Sequence, residues 1–255
     1  MNDLAPHAFP SSRDLSSLAS EQEGALTRSQ LVRLGATDEW ILAMLQAGDL
    51  FELDDGIVFR HPAYAMRYDD FDRAAWFYVN PGSFMEERLD AERTPMEVLS
   101  GERALSIRQE ATSGGPIVFA CQELPFYCNP DYAFVERPIR AGEWEWYRGV
   151  AITTPAFAIA DMILCNQDED SIHRALIEVI PKNDFPVLRF LELIEPAAAA
   201  WGHQSNDSKA LFMNLLRLDI VSHRASGGSI LIQIIHNALE VTSTTPLSTE
   251  PNGTW

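Results

Sequence analysis

The hydrophobic positions between Gly24 and His61 run first at helical spacing and then at strand spacing. Leu31 and Leu34 supply the apolar positions of a short helix that Gly35 ends. Thr27 precedes it and Gln30 follows three residues on. That is the capping-box arrangement, in which each side chain satisfies an orphan amide of the other residue. Ile41, Met44 and Leu45 fall on one face of a second helix. Thr37 stands at its N-cap, Asp38 and Glu39 sit at the positive end of its dipole, and Gly48 lies just past its last turn. Phe51 to Leu53 and Ile57 to Arg60 are β-prone runs, and Asp54-Asp55-Gly56 between them suits a hairpin turn. An earlier helix from Asp14 to Gln22 would turn Leu15, Leu18 and Ala19 inward. Helix, turn, helix, hairpin is the pattern of a winged helix, here over residues 14–61.

Pro62 stops the second hairpin strand and opens a second region, residues 62–200. Asp69 to Val79 predicts a helix, with Phe71, Ala74, Ala75 and Tyr78 at spacings of three and four, ended by Asn80-Pro81-Gly82. Phe84 to Arg93 is amphipathic and densely charged, and Glu97 to Glu110 predicts a further helix. Ile117 to Cys121 is a continuous apolar run, the signature of a buried strand. Tyr132 to Val135 and Glu145 to Ile152 are further strands. Thr154 as cap and Pro155 at the first helical position start a helix to Leu164. Helices from Ser171 to Ile180 and from Phe185 to Glu195 follow.

The fold class expected is therefore α+β: an N-terminal winged helix-turn-helix, a mixed α/β domain and a helical C-terminal region. The last comprises helices within 201–240, from Ser208 to Ile220 and from Ser229 to Glu240. Residues 1–13 are expected to be a flexible arm, and the Ser/Thr/Pro-rich 241–255 a disordered tail.

The order Thr27-x-x-Gln30, Leu31, Gly35, Ile41, Leu45, Gly48-x-Leu50, Gly56-Ile57-Val58-Phe59 resembles the N-terminal domain of AbiEi-type antitoxins of type IV toxin–antitoxin systems. Gly149-Val150-Ala151-Ile152-Thr153-Thr154-Pro155, followed by Ala160-Asp161, is similar to that family's strand-then-helix segment. The resemblance implies an antitoxin-like transcriptional regulator that binds operator DNA of its own operon. It also implies an operon-encoded partner, a nucleotidyltransferase-like toxin. Asp161 matches the family's aspartate, for which a helix-stabilising or packing role is expected.

Charge pulls the other way. Across 255 residues, 19 basic side chains face 37 acidic ones, a net of −18. Residues 1–61 hold four arginines, no lysine and ten carboxylates. DNA affinity is dominated by Lys and Arg against phosphates. The candidates for DNA contact in the winged unit are Arg28, Ser29, Arg33, Thr37, Gln46, Arg60 and His61, and Arg137, Arg140 and Arg148 could add contacts from the second region. Gln46 can read adenine. Yet the outward side of the second helix would carry Asp38, Glu39, Leu42, Ala43 and Gln46, with no basic residue among them. The alternative is an acidic winged-helix module that binds protein and no longer binds DNA. Its contact candidates are Asp38, Glu39, Asp54, Asp55, Trp144 and Trp146. Alternation puts the two tryptophans on one strand face, either core or contact surface. The arginines could also simply pair with neighbours such as Glu21 or Glu23.

Catalytic motifs are missing: no Gly-rich phosphate loop, no G-x-S-x-G, no H-E-x-x-H. Neither of the only two lysines, Lys182 and Lys209, completes the Glu-x-Lys of one nuclease type, since Ile180 and Asp207 stand two residues before them. His7, His61, His173, His203, His223 and His236 are scattered singly, and Cys121, Cys128 and Cys165 form no CxxC pair. The expectation is a non-enzyme with no cofactor and no metal. With no apolar stretch of spanning length and no secretory signal, a cytoplasmic protein without a membrane partner is expected.

Overall fold

The computed structural model of the chain describes residues 12–54, 56–64, 70–89, 94–108, 116–125, 130–182 and 185–217. Its first part contains α1 (Ser12–Glu21), β1 (Ala25–Thr27), α2 (Arg28–Arg33), α3 (Asp38–Ala47), β2 (Phe51–Asp54) and β3 (Val58–Arg60). The three strands form an antiparallel sheet in the order β1-β3-β2. Both halves of the Thr27/Gln30 capping box form, Thr37 accepts from the Trp40 amide, and Gly48 ends α3 in the left-handed conformation at φ 78°. Leu15, Leu18, Ala19, Leu26, Leu31, Ile41, Leu50 and Phe59 make a small core.

Two expectations change here. Leu34 is exposed, because α2 ends at Arg33 and leaves Leu34 at the C-cap, past the last turn. Met44 and Leu45 are only partly buried, packed at the rim of the core. The strand β1 was not legible beforehand. Three residues, all buried, give no alternation, and only pairing with β3 (Leu26 against Phe59) makes them a strand.

The second part contains α4 (Asp70–Val79), α5 (Met85–Arg88), β4 (Glu97–Ser100), α6 (Gly101–Ile107), β5 (Ile117–Cys121), β6 (Tyr132–Glu136), β7 (Trp144–Tyr147) and β8 (Val150–Thr153). These are followed by α7 (Pro155–Leu164), α8 (Glu169–Val179), α9 (Val187–Ile194), a 3₁₀ turn at Glu195–Ala197 and α10 (Ser208–Leu215). The five strands are ordered β6-β5-β4-β8-β7. The helix expected from Glu97 to Glu110 is instead the middle strand of this sheet followed by a shorter helix. Glu97–Ser100 is buried throughout, antiparallel to β5 and parallel to β8. Gly101 makes the switch at φ +65°, where an added Cβ would lie 2.9 Å from Val118 Cγ2. The strand expected from Glu145 to Ile152 is two strands, β7 and β8, folded back on each other through Arg148 and Gly149, both left-handed.

At the centre of the core lies α7. Pro155 through Ile163 are all buried, as a helix apolar on every side must be. It packs against α6, α8, α9, β4 and β5. Mixed α/β in composition, with ten α-helices and two sheets among the described residues, the chain is of the α+β class. The helix expected from Ser229 to Glu240, the tail 241–255, the first eleven residues of the arm and the end of the helix from Ser208 to Ile220 lie outside the described residues. No helix among the described residues is long and apolar enough to cross a membrane.

The two parts are joined by buried polar contacts. Gln22 and Gln30 form a reciprocal amide pair, at 2.9 and 3.0 Å. Gln30 Nε2 also donates to the Ser83 carbonyl at 2.7 Å, and the Met85 amide donates to Gln22 Oε1 at 3.0 Å. The Thr27 hydroxyl donates to the Pro81 carbonyl. Helix α4 packs on both sheets.

Candidate functional site

The outward stripe of α3 follows from its buried one. With Ile41 inward, the helical period turns Asp38, Glu39, Leu42, Ala43 and Gln46 to solvent, and all five are exposed. Glu39 is held below the usual carboxylate range by its own backbone amide and by the Thr37 hydroxyl. Val32 and Leu34 on and beside α2, Leu42 on α3 and Phe51 on β2 are the exposed large apolar side chains of this part. Its surface there is acidic and apolar.

Each arginine proposed for DNA contact in the winged unit has an acceptor within the chain. Arg28 pairs with Asp38 and donates from Nε to the Gly56 carbonyl at 3.2 Å. Arg33 forks onto both oxygens of Glu87, at 2.8 and 2.9 Å, and reaches the Gly82 carbonyl. Arg60 donates to the Tyr64 carbonyl and lies 5.1 Å over the Phe51 ring. The partners are thus Asp38 and Glu87, not Glu21 or Glu23. His61 is partly buried against Tyr64, and that burial lowers its pKa. Ser29 is partly exposed on α2, and Thr37 is spent on its helix cap. Asp54 accepts from the Tyr132 hydroxyl of β6, and Asp55 lies outside the described residues. Trp144 and Trp146 are partly buried and pack into the core, 5.3 Å apart, with Trp146 edge-on to Trp76 of α4.

The second region holds a charge network that sequence reasoning did not find. Asp161, fully buried on α7, receives Arg137 Nε at 2.7 Å, Arg137 Nη2 at 3.0 Å and the Ser100 hydroxyl at 2.6 Å. Ser100 in turn lies 2.9 Å from the Thr153 hydroxyl. Arg137 Nη1 bonds Glu143 at 2.8 Å, and Arg189 Nε holds the other Glu143 oxygen at 2.9 Å. Burial pushes the Asp161 carboxyl up, against the pull of Arg137 and Ser100. Burial also works against the Arg137 proton, but its two carboxylates outweigh it and raise that pKa. A packing role for Asp161 was the expectation. The only hint of the partners was an apolar helix that carries one carboxylate.

Beside this network opens a cleft of about 600 Å³. Arg108, Arg140 and Arg189 border it, together with Glu143, Glu145 and the first turn of α7. Pro155, Phe185 and Pro186 give it apolar walls. Arg137 lies in the network behind, not free for a ligand, and Arg148 stacks over Tyr147 at 5.5 Å. Among the described residues no group of His, Cys, Asp and Glu could hold a metal ion. Burial pushes the Cys121 and Cys165 thiols to about 12, so neither offers a thiolate near neutral pH.

Compared with known proteins, the chain matches no protein family and no curated protein. Among solved structures it is similar to the crystal structure of the RV2827C protein from Mycobacterium tuberculosis, at 16% identity and a TM-score of 0.36, over 78% of this chain and 79% of that one. A likeness that distant leaves the functional reading to the chain's own geometry.

Proposed function

We propose that the chain is an antitoxin-like binding protein whose N-terminal unit is a winged helix that docks a basic protein rather than DNA. One observation carries this reading. The three arginines between Gly24 and His61 are each engaged within the chain, Arg28 by Asp38 itself, while the outward stripe of α3 presents Glu39, Leu42 and the largely exposed Asp38. In a winged helix of the DNA-reading kind that helix enters the major groove. Here it would bring two carboxylates towards phosphates. A basic partner with an apolar contact would instead meet complementary charge and Leu42. The antitoxin resemblance names the kind of partner, an operon-encoded toxin. Catalysis is no part of this proposal; metal-dependent cleavage of nucleic acid by the pure protein, lost on one carboxylate substitution, would overturn that.

Operator binding is the second reading, and a specific observation favours it. The Arg28–Asp38 and Arg33–Glu87 pairs are solvent-exposed, with side-chain exposures of 42% and 74% and of 46% and 42%. Water already competes for such pairs, so a phosphate could take the carboxylate's place. The two readings part on one experiment: affinity for the chain's own promoter DNA at two salt concentrations, wild type against the Arg28→Ala, Arg33→Ala, Arg60→Ala triple variant. A protein-docking unit shifts no promoter fragment even at low salt, and the product of the adjacent gene binds it and is lost on Asp38→Lys, Glu39→Lys substitution. Promoter binding with a salt slope near −3 per unit, about one per arginine, and lost in the triple variant, would establish the operator reading instead.

A further inference from the structure

Among the described residues, the cleft beside the buried network collects guanidinium groups around open space. We propose that it binds a small phosphate ester, its phosphate against Arg140, Arg189 and the first turn of α7 and its remainder against the proline and phenylalanine wall. The chain as a whole has about two acids per base, 37 against 19. The cleft lining reverses that, with three arginines against two glutamates. Nor are the glutamates free to repel an anion. Glu143 is held on both oxygens by Arg137 and Arg189, and Glu145 pairs with Arg108 at 2.6 Å.

The donors left over are of the right kind. Arg140 is exposed, and its guanidinium has no partner among the described residues. Arg189 spends Nε on Glu143 and Nη1 on Glu192, which leaves Nη2 for a ligand. In the first turn of α7, Pro155 has no amide, and the Phe157 and Ala158 amides both bond the Thr154 carbonyl. The Ala156 amide at the cleft wall therefore keeps its donor, at the positive end of a ten-residue helix. The Thr154 hydroxyl, which could have capped that end, lies 3.4 Å from the carbonyls of Gly142 and Glu143 instead. Forked guanidinium donors and a helix amide approaching from different sides suit an oxyanion with three accepting oxygens. A volume of about 600 Å³ leaves room for more than the phosphate, and the walls of Pro155, Phe185 and Pro186 would take an apolar or ring-bearing group.

The test is calorimetric titration of the full chain with inorganic pyrophosphate, AMP and adenosine. Pyrophosphate and AMP are expected to bind saturably with one site per chain, and adenosine not to bind. Arg140→Ala should weaken both by about tenfold or more, the size of one charge-assisted hydrogen bond, with the thermal midpoint unmoved. Arg189→Lys, which keeps a cation for Glu143 but removes the remaining Nη2 donor, should weaken them as well. Arg174→Ala on α8, an exposed arginine outside the cleft, should change nothing. The proposal is overturned by absent saturation, by full-strength binding in Arg140→Ala, or by an equal loss in Arg174→Ala. It is also overturned if the cleft ignores both phosphates but takes an oligo-aspartate peptide, because the site would then belong to an acidic protein segment.

Discussion

Around α2 and α3 the arginines pair at the surface, whereas between α7 and the segment after β6 they pair in the interior. Arg33 and Glu87 are 46% and 42% exposed in their ion pair, while Arg137, Asp161 and Glu143 are 5%, 0% and 4% exposed in theirs. The bond lengths are alike, 2.8 Å in one and 2.7 to 2.8 Å in the other. Surroundings, not geometry, set what each pair does. At the surface, water and salt compete for both charges, so the pair adds little stability and can be exchanged for a partner's groups. In the interior each charge has given up its hydration and depends on the other, so the network holds α7, β4, β8 and the segment after β6 in one arrangement. The charges of the first region stay within reach of solvent, and those of the second fix the fold.

The largest expected effect breaks the interior pair. Arg137→Met leaves Asp161 and Glu143 without their shared cation and should cost roughly 3–5 kcal/mol in denaturant unfolding. A cost below about 1 kcal/mol would mean that the buried carboxylates are protonated and the network does not hold the fold. Next come the two small-core positions. Leu31→Ala, at a fully buried site, should cost about 2–5 kcal/mol, and Leu45→Ala at the rim less than about 2. Equal losses would show that Leu45 is as fully covered as Leu31 and that α3 sits deeper on the small core than its rim contacts indicate.

The smallest effect sharpens the surface side. Arg33 and the Phe84 amide hold the Glu87 carboxyl down at about 2, from an ordinary 4.5. A carboxylate whose pKa is depressed by folding adds stability above its unfolded value, and that stability is lost as pH falls through the folded value. Any contribution of Glu87 should therefore be intact above pH 4.5 and fade between there and about 2. Because the pair is exposed, Arg33→Ala should leave stability at neutral pH unchanged within error while NMR titration shows Glu87 returning towards 4.5. A clear destabilisation at neutral pH would place this pair with the interior ones.

What the residues alone determined lies close together in the chain. Thr27 with Gln30, Thr37 and Gly48 are caps, and a cap needs only its own turn. The hairpin strands at Phe51 and Val58, the buried strand at Ile117 and the Thr154-Pro155 helix start were likewise readable, because each signal and its consequence sit within a few residues. The tertiary structure decided the rest. Glu97–Ser100 looks helical in isolation and is a strand because β5 and β8 flank it. The candidate arginines were visible in the sequence, but their availability was not, since Glu87 lies 54 residues from Arg33. The buried network joins Asp161 to Arg137 across 24 residues and to Ser100 across 61. Local spacing encodes backbone hydrogen bonding within a turn. Which charge meets which, and whether water reaches them, is set only when distant segments pack.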